Sequence, residues 1–226
     1  MSDRTRNGSR VLVTGSTGLL GQNLVRALLA EGFEVVALAR SAAKASRLLG
    51  DTRAEVVVGD MADVAGFAPH LAGCRAVFHT AAYFREYFQP NPDGALLERI
   101  NVGATLELLA AADRAGVEAF VHTSSSSAIG LRPDGSPGDE ETPPHPLAEH
   151  NLYMRSKVIG HERLRAYAPE RGIRVIEILP GWMRVPATPA RPTRGGSSST
   201  SSPARCRSFR RAGPAWWTRA TSPRPC

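Results

Sequence analysis

Tyr153-Met154-Arg155-Ser156-Lys157 sets a phenol and an ammonium four residues apart. On a helix that spacing puts both side chains on one face. An isolated phenol titrates near about pH 10, and a neighbouring ammonium favours the phenolate and lowers that value. Tyr153 can then donate a proton to a reacting oxygen or accept one from it. Upstream, Val121-His122-Thr123-Ser124-Ser125-Ser126-Ser127-Ala128 ends a β-branched run in four consecutive serines. A hydroxyl there can stabilise charge developing on the same oxygen. The serine run leaves the choice of hydroxyl open by one place either way. The bland readings are an exposed Tyr/Lys pair and a Ser-rich turn; the distance from a phosphate-type loop upstream argues against chance.

That loop is Thr14-Gly15-Ser16-Thr17-Gly18-Leu19-Leu20-Gly21, between an apolar run and an amphipathic one. It is a G-x-x-G-x-x-G variant of the dinucleotide fingerprint. Gly15 serves the tight turn, Gly18 the approach of the backbone to a pyrophosphate, and Gly21 close helix–strand packing. The helix N-terminus adds free N–H groups and a favourable dipole. Gly15, Thr17, Gly18, Leu19 and Gly21 are therefore the candidate phosphate contacts; the alternative is a glycine-rich turn without a ligand. Cofactor choice is read at the end of the second strand. Ala39-Arg40-Ser41 stands there, with Lys44 a turn later. Arg40, Ser41 and Lys44 suit a ribose 2′-phosphate, so NADP is expected over NAD. An oxidised nicotinamide ring would further favour the Tyr153 phenolate.

These residues need a frame. β-branched runs are predicted at Arg10–Thr14, Glu34–Ala39, Glu55–Gly59, Arg75–His79, Ala119–Thr123 and Arg174–Leu179. Helical patterns lie between them, at Leu19–Glu31, Ala42–Leu49, Val64–Leu71, Gly94–Gly116 and Leu152–Ala168. Alternation of this kind predicts an α/β fold with a doubly wound parallel Rossmann sheet. Gly32 and Gly116 are placed as C-terminal helix stops.

The 226 residues are enough for one domain with a sizeable core, and 42% are hydrophobic. The net charge of +7 would suggest an anionic partner, but its distribution removes that inference. Residues 1–183 carry 19 basic and 21 acidic side chains; residues 184–226 carry nine Arg and no acid. After Met183 Leu, Ile and Met vanish, and seven Pro and the Ser197–Ser202 run appear. The expected organisation is a polar 1–9 tail, a 10–183 dinucleotide-binding domain and an aberrant or disordered 184–226 tail. A reading-frame error in a GC-rich gene is preferred over a native disordered tail. Trp216 and Trp217 stand among the tail's arginines, too few stacking residues for a nucleic-acid partner. No apolar run suits a membrane span, and three unpaired Cys suit a reducing cytoplasm. No metal site is expected; Gly138-Asp139-Glu140-Glu141 reads as a solvated loop. His79 and His122, at strand ends, read as packed structural histidines.

The chain resembles the extended short-chain dehydrogenase/reductases, the NAD-dependent epimerase/dehydratase family, and most the dihydroflavonol-4-reductase-like branch. The resemblance runs over residues 10–183 and is carried by Thr14–Gly21, Gly59-Asp60-Met61, His79-Thr80-Ala81-Ala82, Asn101-Val102, Thr123-Ser124-Ser125, Tyr153–Lys157 and Leu179-Pro180-Gly181-Trp182. It implies Ser125, Tyr153 and Lys157 as the catalytic set, with Lys157 also holding the nicotinamide ribose. It implies Asp60 and Met61 at the adenine, Ala81 and Ala82 near that ribose, Asn101 supporting the active-site backbone, and Pro180 and Gly181 beneath the nicotinamide. Blander roles are a helix cap for Asp60, a surface polar residue for Asn101, a simple turn at Pro180–Gly181, and core or pocket wall for Trp182. The resemblance implies an NADP-dependent oxidoreductase acting on a small-molecule carbonyl or secondary alcohol, and a homodimer through the long helices. A nucleotide-sugar epimerase or dehydratase, and a non-catalytic dinucleotide-binding protein, are the alternatives. Substrate choice is expected in the Tyr83–Gly94 loop, the Leu131–Asn151 loop and a C-terminal substrate domain. That domain is missing from this sequence, so the 226-residue product is expected to be poorly stable or inactive.

Overall fold

The structure, a computed structural model, describes residues 8–84, 93–167, 172–181 and 183. All of them belong to a unit spanning Met1–Pro186; the tail read as aberrant lies outside the described residues. Six strands form one parallel sheet: β1 (Arg10–Thr14), β2 (Glu34–Ala39), β3 (Glu55–Val58), β4 (Cys74–His79), β5 (Ala119–Thr123) and β6 (Arg174–Ile178). Their order is β3-β2-β1-β4-β5-β6. The direction of winding therefore reverses between β1 and β4, and ligands of open α/β sheets bind in the crevice at such a point. The doubly wound Rossmann arrangement expected from the sequence is the one observed.

The helices are α1 (Leu19–Ala30), α2 (Ala42–Leu49), α3 (Val64–Phe67), α4 (Gly94–Glu98), α5 (Ala104–Arg114) and α6 (Leu152–Tyr167). α1 and α5 end as expected. Gly32 and Gly116 take positive φ of 85° and 76°, and each closes a paired 6→1 and 5→2 hydrogen-bond stop. Two predicted helices are not uniform. Val64–Leu71 is α-helical to Phe67 and then 3₁₀ over Ala68–Leu71, where Pro69 enters the first turn. Gly94–Gly116 holds a π turn at Arg99–Gly103 between α4 and α5. The extra residue in that turn falls around Asn101, which bonds Tyr83.

Burial follows the topology. β1 and β2 are buried almost end to end, because helices cover both faces. β6, an outer strand, alternates between exposed and half-buried residues. One core lies between Leu12, Val36, Val77 and Phe120 of the sheet and Leu108, Leu109 and Leu164 of α5 and α6. The other joins Val11, Val13, Val35 and Ala37 to Val25 and Leu28 of α1 and Leu49 of α2.

Two glycines show what sets the spacing of β1 and α1. A Cβ on Gly21 would lie 2.2 Å from the Gly15 carbonyl oxygen, backbone that cannot step aside. A Cβ on Gly103 would meet nothing within 4 Å. Gly21→Ala should therefore destabilise the fold by about 1–3 kcal/mol, whereas Gly103→Ala should be neutral or stabilise by up to about 1 kcal/mol. Urea unfolding of the two variants measures the contrast; equal effects would contradict the packing described.

Candidate functional site

The glycine turn sits at the crevice. Gly15 has a φ of 65°, and a Cβ there would come within 2.7 Å of the Ala81 amide nitrogen. β1 and the segment after β4 therefore touch backbone to backbone. Gly18 is the N-cap of α1, with no side-chain cap and no acid in the first turn. Its own N–H donates to Gly15 O at 2.8 Å. Thr17 is half-buried, and Gly18 and Leu19 are exposed. Ser16 is fully buried and donates to the Leu38 carbonyl, fastening the turn to β2. A helix start left uncapped by side chains, in a cradle that any Cβ would fill, fits a diphosphate.

Arg40 follows β2 and is exposed; Ser41 caps α2 by accepting the Lys44 N–H at 3.2 Å. Lys44 is exposed as well. Asp60 is exposed, and its Oδ1 accepts the Ala62 N–H at 2.9 Å. Asp63, not Asp60, caps α3. The Met61 side chain lies in the core. Ala81 is half-buried, packed on the core, and Ala82 is exposed.

A chain of buried hydrogen bonds joins this turn to the Tyr153 helix. Ala81 N–H donates to Thr14 Oγ1, which is 2.7 Å from His79 Nδ1. His79 Nε2 is 3.0 Å from Thr105 Oγ1, and Thr105 donates to the Asn101 carbonyl. The donors fix the direction: Thr14 gives its hydroxyl proton to Nδ1, and His79 carries its hydrogen on Nε2. Burial depresses the His79 pKa to about 3, so the ring is neutral. His122 stacks on it at 5.2 Å, also held well below the usual range by burial. Both rings are packed in the interior, as expected. Asn101 is buried and accepts Tyr83 N–H at 2.7 Å while donating to Tyr83 O and to Ser156 Oγ. Ser156 in turn donates to Tyr153 O. Asn101 thus reaches the site through backbone and Ser156, as a support. Thr14, Thr105 and Ser156 were not singled out from sequence, because isolated hydroxyl residues carry no spacing signal.

Tyr153 is half-buried, with Phe84 edge-on to its ring at 4.8 Å. Lys157 Nζ lies 5.9 Å from the Tyr153 ring centroid and donates to Thr123 O at 3.1 Å. The expectation of a lowered phenol pKa does not hold in the chain by itself. Burial pushes the Tyr153 phenol above its ordinary value, and burial pulls Lys157 down to about 8. Ser125 is half-buried and accepts from Ser127 Oγ at 2.8 Å; Ser124 is buried and Ser126 exposed. The backbone N–H groups of Ser124 and Ser126 donate to Ile178 O and Pro180 O, which stitches the serine run to the exit of β6. Pro180 is half-buried there. Two further side chains meet one turn along α6 from Lys157: His161 Nδ1 is 3.0 Å from Glu177 Oε1. The acid inside the apolar Arg174–Ile178 run, and a His four residues after Lys157, were the available signals. Trp182 and most of the Tyr83–Gly94 loop lie outside the described residues. The acidic stretch is exposed loop, and no metal-binding cluster occurs among the described residues. No helix among them is long and apolar enough to cross a membrane.

A buried neutral histidine links folding to pH. Between the unfolded value near 6.5 and the folded value of about 3, the unfolded chain binds a proton that the folded chain refuses. Stability therefore falls as pH falls through that window, by up to about 1.4 kcal/mol per pH unit for His79. Urea unfolding from pH 7 to pH 4 should show the slope, and His79→Gln should reduce it, leaving the share of the buried His122 ring.

Comparisons with known proteins agree with this geometry. Residues 11–186 match the NAD dependent epimerase/dehydratase family. A relative from Synechocystis sp., named for dihydroflavonol 4-reductase activity, is 41% identical over 57% of this chain and 36% of its own length. The 3 beta-hydroxysteroid dehydrogenase/Delta 5→4-isomerase of Mycobacterium tuberculosis is 35% identical over 76% of this chain and 46% of its own. The chain thus spans less than half the length of these relatives. Among solved structures, the Thermus thermophilus UDP-glucose 4-epimerase in complex with NAD is 29% identical at a TM-score of 0.64, covering 75% of this chain and 54% of its own. With the winding reversal, the glycine turn and the Tyr153–Lys157 helix in one crevice, and a match over residues 11–186, the chain belongs to the NAD dependent epimerase/dehydratase family.

Proposed function

We propose that this chain is the dinucleotide-binding part of an NADP-dependent oxidoreductase that reduces a carbonyl or oxidises a secondary alcohol. The observation that carries the reading is the convergence of Tyr153, Lys157 and the serine run on the crevice that the glycine turn opens. When bound, the nicotinamide supplies or accepts the hydride. Gly15 to Gly21 would hold the diphosphate through backbone N–H groups, and Asp60 with the Met61 backbone the adenine. Ala81, Ala82 and Lys157 would lie along the nicotinamide ribose, and Pro180 beneath the ring. The raised Tyr153 phenol keeps its proton at neutral pH, which suits donation to a carbonyl oxygen. Ser125 would hold that oxygen by a hydrogen bond. Reductase and dehydrogenase names among the relatives support oxidoreduction over epimerisation.

NADP is preferred on Arg40 and Lys44, two cations where a ribose 2′-phosphate would stand. The Thermus thermophilus epimerase and a 29%-identical Agrobacterium tumefaciens protein carry NAD, so the preference needs its own test. A charge-assisted bond contributes about 1.5–3 kcal/mol. Arg40→Asp should therefore weaken NADPH roughly ten- to a hundred-fold, and NADH much less. Titration by nucleotide fluorescence measures both, and equal losses would remove the NADP assignment. Tyr153→Phe should leave NADPH affinity within roughly threefold, as one hydrogen bond allows, yet lower reductive turnover by about 10²–10⁴-fold once a substrate domain completes the chain. Net NADPH consumption by the wild-type protein separates this reading from internal redox on a sugar.

A further inference from the structure

Of the 28 basic residues only Lys44 and Lys157 are lysines; all the others are Arg. Lysine is the cation that gives up its proton when buried. Lys157 is 2% exposed, and its Nζ donates to a neutral carbonyl, Thr123 O. A carbonyl satisfies a hydrogen bond but leaves the charge unbalanced.

The sheet register shows where balance comes from. Thr14 pairs with His79, His79 with His122, and His122 with Glu177, so four polar residues form one row across β1, β4, β5 and β6. Thr123, which holds Lys157, pairs with Ile178, next to Glu177. His161 follows Lys157 by one turn of α6 and clamps Glu177 Oε1 at 3.0 Å. The side chains of His161 and Glu177 are 14% and 10% exposed. Beyond His161, the Ser124 hydroxyl also favours the charged Glu177 carboxylate, but Oε2, its second oxygen, closes no full hydrogen bond among the described residues. A buried carboxylate with one oxygen unbonded is costly unless its charge faces a cation.

We propose that Glu177, clamped by His161, is the counter-ion of Lys157: a positioning residue that keeps the lysine charged around neutral pH. The inference rests on Lys157 being the partner of Tyr153. The titratable groups facing Lys157 are Tyr153 and His161 on α6, His122 on β5, His79 on β4 and Glu177 on β6. His79 and His122 are neutral rings. Glu177 pulls the Lys157 pKa upward against burial; burial raises the Glu177 carboxyl above its ordinary range, against His161, Ser124 and Lys157, which favour its charged form.

Two lysines make the test direct. The full chain labelled with ¹³C-lysine gives two side-chain signals, with exposed Lys44 as reference. Glu177→Gln should move the Lys157 midpoint down by about one pH unit, the effect of losing an adjacent opposite charge, while Glu177→Asp should restore it. An unchanged midpoint in Glu177→Gln overturns the proposal. If that variant does not fold, the wild-type Lys157 signal still decides. It should show a second, acid inflection as Glu177 protonates, and a single-step curve overturns the proposal. NADPH affinity measured across the same pH range separates the two readings. A shifted lysine with affinity indifferent to its charge supports the counter-ion and sinks the cofactor role of Lys157.

Discussion

The path Ala81–Thr14–His79–Thr105–Asn101–Ser156 ties the glycine turn to the Tyr153 helix, and the site depends on it. Every link but Ala81–Thr14 is fully buried, and the Thr105 bond to the Asn101 carbonyl fixes the donors before it, so the path has a single direction. An apolar row would fill the same space, but it would tolerate sliding of α6 over the sheet. Hydrogen bonds of defined length do not, since an orphaned buried donor costs about 1–3 kcal/mol. The network fixes position more than it adds stability.

Backbone contact does the same work at the crevice mouth. The Gly15–Ala81 approach leaves no room for a side chain between β1 and the β4 exit, and Gly21 seats α1 against that turn. The uncapped start of α1 therefore points from a rigid base. On the far side, the Ser124–Ile178 and Ser126–Pro180 bonds hold the serine run against the end of β6. Both walls of the crevice are set by main chain, which lets the side chains inside vary without moving the frame.

Much of this was legible in the sequence, for physical reasons. A strand buried on both faces must be a near-continuous apolar run, so β1, β2 and β5 are predicted to the residue. Gly32 and Gly116 mark helix ends because only a positive φ closes those stops. The π turn around Asn101 was not legible, since no residue type demands it. Nor was the cross-strand row: Thr14, His79, His122 and Glu177 are distant in sequence and meet only through register. Met61 shows the limit for the site. The resemblance puts it at the adenine, yet its side chain belongs to the core.

The environments of Tyr153 and Lys157 are shifted in opposite senses, and the order of deprotonation follows. Burial raises the phenol and lowers the lysine to about 8. As pH rises, the chain alone loses the Lys157 proton first, and with it the cation meant to favour the phenolate. A Tyr/Lys pair on a helix is therefore not an activated pair by spacing alone. It needs positive potential from elsewhere to reverse the order. An oxidised nicotinamide in the proposed site would provide it on the crevice side, and the Glu177 charge preserves the ammonium from below. The activity proposed for the family site is then a property of the crevice with its floor, not of the two residues that advertise it in the sequence.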